Sequence, residues 1–128
     1  MKKFLILVMV AVIASCLVAG CAGEVKTYTD SGQTISVGVN QEFVIGLGSN
    51  PTTGYEWWES YDETMLEMVG EKTYELGAEA KEGVVGAGGV EFFTFKALKK
   101  GTTEITLVYK RGWEEESIDQ KVFTVDIR

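Results

Sequence analysis

From Ile35 to the end of the chain, apolar residues recur at every second position in short runs. Ile35, Val37 and Val39 form one row, and Phe43, Ile45 and Leu47 the next. Tyr55 and Trp57 face one way, Glu56 and Trp58 the other. Phe93, Phe95 and Ala97, then Ile105, Leu107 and Tyr109, then Phe123, Val125 and Ile127 continue the pattern. Successive side chains of a strand point to opposite faces, so such rows are half-buried strands with one face on a core. A helix needs apolar residues three and four apart. Only Asp62 to Val69 offers that spacing, at Met65 and Met68, and it reads as a turn leading into a strand.

The rows predict strands at about 33–39, 42–48, 55–60, 65–76, 90–98, 102–110 and 119–127, with residues 22–30 supplying a tether and a possible edge strand. The expected fold is all-β, an immunoglobulin-like β-sandwich of about seven to eight strands. The connections Asn40-Gln41, Tyr61 to Thr64 and Lys99-Lys100-Gly101 are short and have ordinary turn composition. The other three gaps are longer and chemically odd. If every strand reverses direction, alternate gaps fall at one end of the molecule, an arrangement used for recognition.

The start of the chain belongs to targeting rather than to the fold. Met1-Lys2-Lys3 is basic, Phe4 to Val18 is apolar, and Val18-Ala19-Gly20-Cys21 places a cysteine directly after small residues. This is the pattern of a lipoprotein signal, so residues 1–20 are expected to be removed and Cys21 to carry lipid. A plain signal peptide or a single membrane anchor is the rival reading, though the run is somewhat short for a span of about 20 residues. The expected organisation is signal at 1–20, lipid-anchored tether at 21–32 and the domain at 33–128. The expected place is the extracytoplasmic face of the cell membrane, periplasmic or at the cell surface.

Composition then removes whole classes of function. Cys16 leaves with the signal and Cys21 is lipidated, so no thiol remains for a disulfide, a metal or a nucleophile. The chain contains no histidine, which removes the commonest general base and metal ligand and every Ser-His-Asp or Cys-His arrangement. No metal or other cofactor is expected. Without Lys2 and Lys3 the mature chain has ten basic and nineteen acidic residues, a poor match to nucleic acid. An anionic membrane would also repel it, so tethering must come from lipid.

The three odd gaps hold Asn50-Pro51-Thr52-Thr53-Gly54-Tyr55, Gly86-Ala87-Gly88-Gly89 and Arg111-Gly112-Trp113. In the first, Pro51 fixes φ, Asn50 can bond its own backbone, and Gly54 can take a positive φ on entering the next strand. Thr52 and Thr53 are stiff, so small hydroxyls and amides are offered from a pre-ordered frame. The second lies in a stretch with four glycines from Gly83 to Gly89, but lacks the strand, helix and lysine of a phosphate loop. The third sets tryptophan beside arginine, two residue types that dominate binding hot spots. Read alone, each segment is also consistent with a plain connection, and Trp113 with a side chain folded back onto the core. Glu114 to Glu116 lack the ligand rhythm of a calcium loop and read as solvated.

Taken together, these segments resemble those of the chagasin-like family of cysteine peptidase inhibitors, which carry N-P-T-T-G-F/Y, G-x-G-G and R-P-W loops on an immunoglobulin-like sandwich. Asn50 to Tyr55 matches the first in full, Gly86, Gly88 and Gly89 match the second, and Arg111 and Trp113 match the third. Gly112 stands where the family has proline, which implies a third loop with less built-in order. The resemblance implies a non-enzymatic, tight-binding reversible inhibitor of papain-like cysteine peptidases, and a monomer fits the wedge that three such loops would form. It implies that Thr52 and Thr53 enter the catalytic cleft, with Gly54 and Tyr55 shaping the loop. Gly86 to Gly89 would lie along the cleft through backbone contacts. Trp113 would pack on the primed side, with Arg111 supporting it or contacting polar groups. Two other classes stay open: a surface adhesion or carbohydrate-binding module using Trp58 and Trp113, and a carboxylate-based enzyme, for which so small a domain has little room.

Overall fold

The computed structural model describes residues 25–77 and 88–128. Residues 1–24, where a signal and a lipidated Cys21 are expected, and Gly86 and Ala87 of the second segment lie outside the described residues. Nine strands are present among the described residues: β1 (Lys26–Tyr28), β2 (Ile35–Val37), β3 (Glu42–Ser49), β4 (Tyr55–Tyr61), β5 (Leu66–Met68), β6 (Thr73–Leu76), β7 (Gly89–Ala97), β8 (Gly101–Arg111) and β9 (Asp119–Ile127). They form two sheets. One runs β1-β3-β7-β5, with β6 also on β7; the other runs β2-β9-β8-β4. The expected sandwich is present, and residues 26–28 do supply an edge strand, lying parallel to β3.

Alternation determines the core. Phe43, Ile45 and Leu47 of β3, Phe93, Phe95 and Ala97 of β7, Ile105 and Leu107 of β8, and Phe123, Val125 and Ile127 of β9 are all buried. Phe43 stacks on Phe95 with ring centroids 5.7 Å apart, and Tyr61 of the opposite sheet meets Phe95 edge-on at 5.1 Å. Burial of this continuous apolar layer from both sheets is the main stabilising term. The turn before β5 is fixed by Asp62. Its carbonyl accepts from the amides of Met65 and Leu66, and its carboxylate accepts from the Thr64 hydroxyl and amide. The stretch with weak helical spacing is therefore a turn leading into a strand, as its sequence predicts.

The strand count differs from expectation at one place. The run at 65–76 is two strands, not one. Met68 pairs with Phe95 and Thr73 with Phe92, so five steps along one strand oppose three along β7, an excess of two residues. The ladder cannot absorb that excess and expels it as a bend at Val69 to Lys72. Gly70, at φ 70°, takes the left-handed conformation that the bend requires.

Strand direction reverses at every step except across this bend. β3, β6 and β8 therefore end at the same pole at which β4, β7 and β9 begin. We call this pole the tip. The opposite pole, the base, holds the start of β1 and the turns at 38–41, 62–65 and 98–100.

Candidate functional site

The inward-facing rows do not stop where the core stops. On β8 the row Ile105, Leu107, Tyr109, Arg111 climbs from the apolar interior to the tip. On β4 the facing row ends in Trp57 and Tyr55, which pair with Tyr109 and Arg111. The result is a stack. Trp57 lies against Tyr109 with centroids 4.8 Å apart, Tyr109 against Tyr55 at 5.5 Å, and the Arg111 guanidinium lies 4.4 Å from the Tyr55 ring centre. Trp57 is buried and donates its indole N–H to the Gly48 carbonyl at 2.9 Å. Trp58, of opposite parity, is 38 % exposed. The ammonium groups of Lys72 and Lys110 lie 5.3 and 5.6 Å from its ring centre.

The first segment sits on this stack. Pro51–Thr53 forms one 3-10 turn, closed by Thr53 N–H to the Asn50 carbonyl and Gly54 N–H to the Pro51 carbonyl. The Thr52 hydroxyl donates to the Asn50 side chain, and the Thr53 hydroxyl to the Asn50 carbonyl at 2.7 Å. The Asn50 amide donates to the Tyr109 hydroxyl at 2.9 Å, which pins the turn to the pedestal below. Pro51, Thr52 and Thr53 are exposed. Gly54 closes the turn at φ 86°, as the sequence predicts.

The third segment is joined to the first. Arg111 is the last residue of β8, and its Nε–H donates to the Thr53 carbonyl at 3.0 Å. Trp113 lies against Gly54: a Cβ there would stand 2.6 Å from the indole Cη2. Glycine at 54 is thus required twice, by φ and by the ring. Trp113 is nonetheless 74 % exposed, so it does not fold back onto the core. Gly112 rests near Trp58, and Glu114 N–H closes the turn on the Arg111 carbonyl at 3.1 Å. The Arg111–Glu114 ion pair at 3.3 Å adds to that closure. These bonds order a turn that has no proline.

The second segment reaches the same place from the other sheet. Gly89 is already strand, paired with Ser49 and Leu76. Gly88 lies against the start of the first segment, where a Cβ would come 2.8 Å from the Ser49 carbonyl oxygen. Thr53, Gly88 and Trp113 therefore share the tip, with the Asn50–Tyr55 turn between the other two.

Two residues of the site escape a reading of the sequence. Tyr109 counts there only as a core position, yet its hydroxyl holds the central turn. Glu91 occupies the inward parity of β7 between Gly89 and Phe93, a position where a carboxylate signals a partner. It is 3 % exposed, and its carboxylate accepts the Trp57 amide at 3.0 Å and the Lys72 ammonium at 3.1 Å. Lys72, placed by the bend before β6, also donates to the Trp57 carbonyl at 2.9 Å. Together the pair caps the open edge of β4 directly below the tip.

A family model described as chagasin family peptidase inhibitor I42 matches residues 36–127. Chagasin of Trypanosoma cruzi is 35 % identical over 108 residues, covering 80 % of this chain and 94 % of chagasin. Amoebiasin-2 of Entamoeba histolytica is 29 % identical over 131 aligned positions, covering 100 % of both chains. The solved structure of the cysteine protease inhibitor EhICP2 of Entamoeba histolytica matches with a TM-score of 0.67 at 27 % identity, over 82 % of this chain and 98 % of that one.

Proposed function

The chain belongs to the chagasin family of peptidase inhibitors, and on that premise we propose that it is a tight-binding, reversible inhibitor of papain-like cysteine peptidases that fills the catalytic groove with its tip. The observation that carries this reading is the joint between the first and third segments: Arg111 bonded to the Thr53 carbonyl, and Trp113 seated on Gly54. Two loops joined in this way enter a groove as one body and lose little conformational freedom on binding. Thr52 and Thr53, exposed at the apex, are the residues assigned to the region of the catalytic cysteine. Their backbone is held in a 3-10 turn, which offers the enzyme no extended scissile bond. Trp113 is the hot spot for the primed side, and Gly86 to Gly89 the backbone contact on the other flank. No group need titrate or turn over for this inhibition.

The same proposal includes a lipid on Cys21, a place on the extracytoplasmic face of the membrane and a monomeric working form. Its test is titration of the full chain in detergent against several papain-like peptidases. Stoichiometric, reversible loss of activity is expected. Full activity of every such enzyme at micromolar chain would overturn it.

A further inference from the structure

The chain enters the sandwich at the pole opposite the tip. β1 is parallel to β3, with Lys26 beside Phe43 and Tyr28 beside Ile45, and β3 runs from there up to Ser49 and the first segment. Residue 25 is therefore at the base. Only residues 22–25 separate Cys21 from Lys26 at the start of β1, a reach of about 18 Å at most. The eight residues of β3 span about 27 Å at ~3.4 Å each. A lipid at Cys21 would hold the base near the bilayer and leave the tip about 30 Å or more above it.

Charge is distributed to suit that orientation. The exposed cations Lys26, Lys99, Lys100 and Arg128 lie at the base, where they balance Glu42, Asp62, Glu63 and Asp126. Beside the third segment, Glu114, Glu115, Glu116 and Asp119 follow one another within six residues, and the neighbouring cations Lys110 and Arg111 offset two of these four charges. The nearly neutral pole is thus the one that meets an anionic leaflet with least repulsion, and the acidic pole is the one turned away.

Resting on the lipid-anchor and inhibitor readings above, we infer that the base is the membrane-apposed face and that the tip projects outward, so the partner is a papain-like peptidase arriving from solution. A peptidase held on the same membrane by a short stalk, with its groove turned outward, cannot meet this tip. The two surfaces would face the same direction.

The lipidated full chain in phosphatidylglycerol-containing vesicles tests this. A donor dye on K100C at the base or on E115C at the tip is paired with an acceptor on lipid headgroups. The Lys100 position is expected to transfer several-fold more efficiently than the Glu115 position. Equal or inverted transfer, or failure of the chain to float with the vesicles, would overturn the orientation. A soluble papain-like peptidase added outside should be inhibited by the vesicle-bound chain within about threefold of the chain in detergent. A tenfold or larger loss on vesicles would also overturn it. If neither form inhibits, the inhibitor reading fails, while energy transfer still decides which pole faces the lipid.

Discussion

At the level of single residues, Trp113 and Gly54 separate binding from folding. Trp113 is 74 % exposed, so Trp113→Ala is expected to change stability by no more than about 0.5 kcal/mol. As a hot spot it is expected to cost about 2 kcal/mol of affinity, roughly thirtyfold in the inhibition constant. A melting curve and an inhibition titration on the same preparation check both. Gly54→Ala strains a residue at φ 86° and drives the indole off its seat, since the new Cβ would lie 2.6 Å from it. Inhibition is expected to weaken about tenfold or more, with a stability loss of about 1 kcal/mol. Asp62 belongs to this scale too. The Thr64 hydroxyl, and then the Thr64 amide, hold its carboxyl below the ordinary carboxylate value. A carboxyl depressed on folding contributes stability above its unfolded value and loses it as pH falls through the folded one. The stability gap between the native chain and Asp62→Asn is therefore expected to start narrowing as pH falls below about 5 and to close only once pH is below the folded value. Urea titrations across that range measure it.

At the level of elements, the open edge of β4 depends on one buried carboxylate. Glu91→Ala leaves the Trp57 amide and the Lys72 ammonium without the carboxylate they share. Breaking a buried pair from one side costs about 3–5 kcal/mol, and the 27 % exposure of Lys72 screens part of this, so about 2–3 kcal/mol is expected. Glu91→Gln, which keeps an acceptor for the amide, is expected to lose less; chemical denaturation ranks the two. This edge also marks where sequence reading ends. The strands were legible because alternation is local, and so was the assignment of Trp57 inward and Trp58 outward. The bend at Val69 to Lys72 was not, because its two-residue excess exists only against the β7 ladder. Glu91 was readable in principle, since it continues the buried parity of Phe93 and Phe95. The partners that satisfy it, at positions 57 and 72, are adjacent only in three dimensions.

At the level of the whole molecule, core and tip are layers of one set of rows, but they answer to different demands. Phe95 is fully buried between Phe43 and Tyr61 in the middle of the sandwich. Phe95→Ala is expected to cost about 3–5 kcal/mol. At a temperature where the variant remains folded, its inhibition constant should stay within about threefold of the native value. Denaturation and inhibition measured side by side check this independence. The gathering of three segments at one pole was foreseeable from strand parity, because each chain reversal exchanges top for bottom. Their mutual contacts were not, since the Arg111 bond to Thr53 and the seat of Trp113 on Gly54 depend on how the two sheets face each other.

The Lys72–Glu91 cap has a bearing on copies as well as on the single chain. An uncovered strand border is a template on which a neighbouring molecule can add its own strand and begin a fibre. In β4 the Trp57 amide and carbonyl are already engaged, one by a carboxylate and the other by an ammonium. Molecules pressed together at high density thus find the Trp57 rung of that border occupied. A side-chain pair that steadies the site in one molecule thereby also removes a point of attachment for the next.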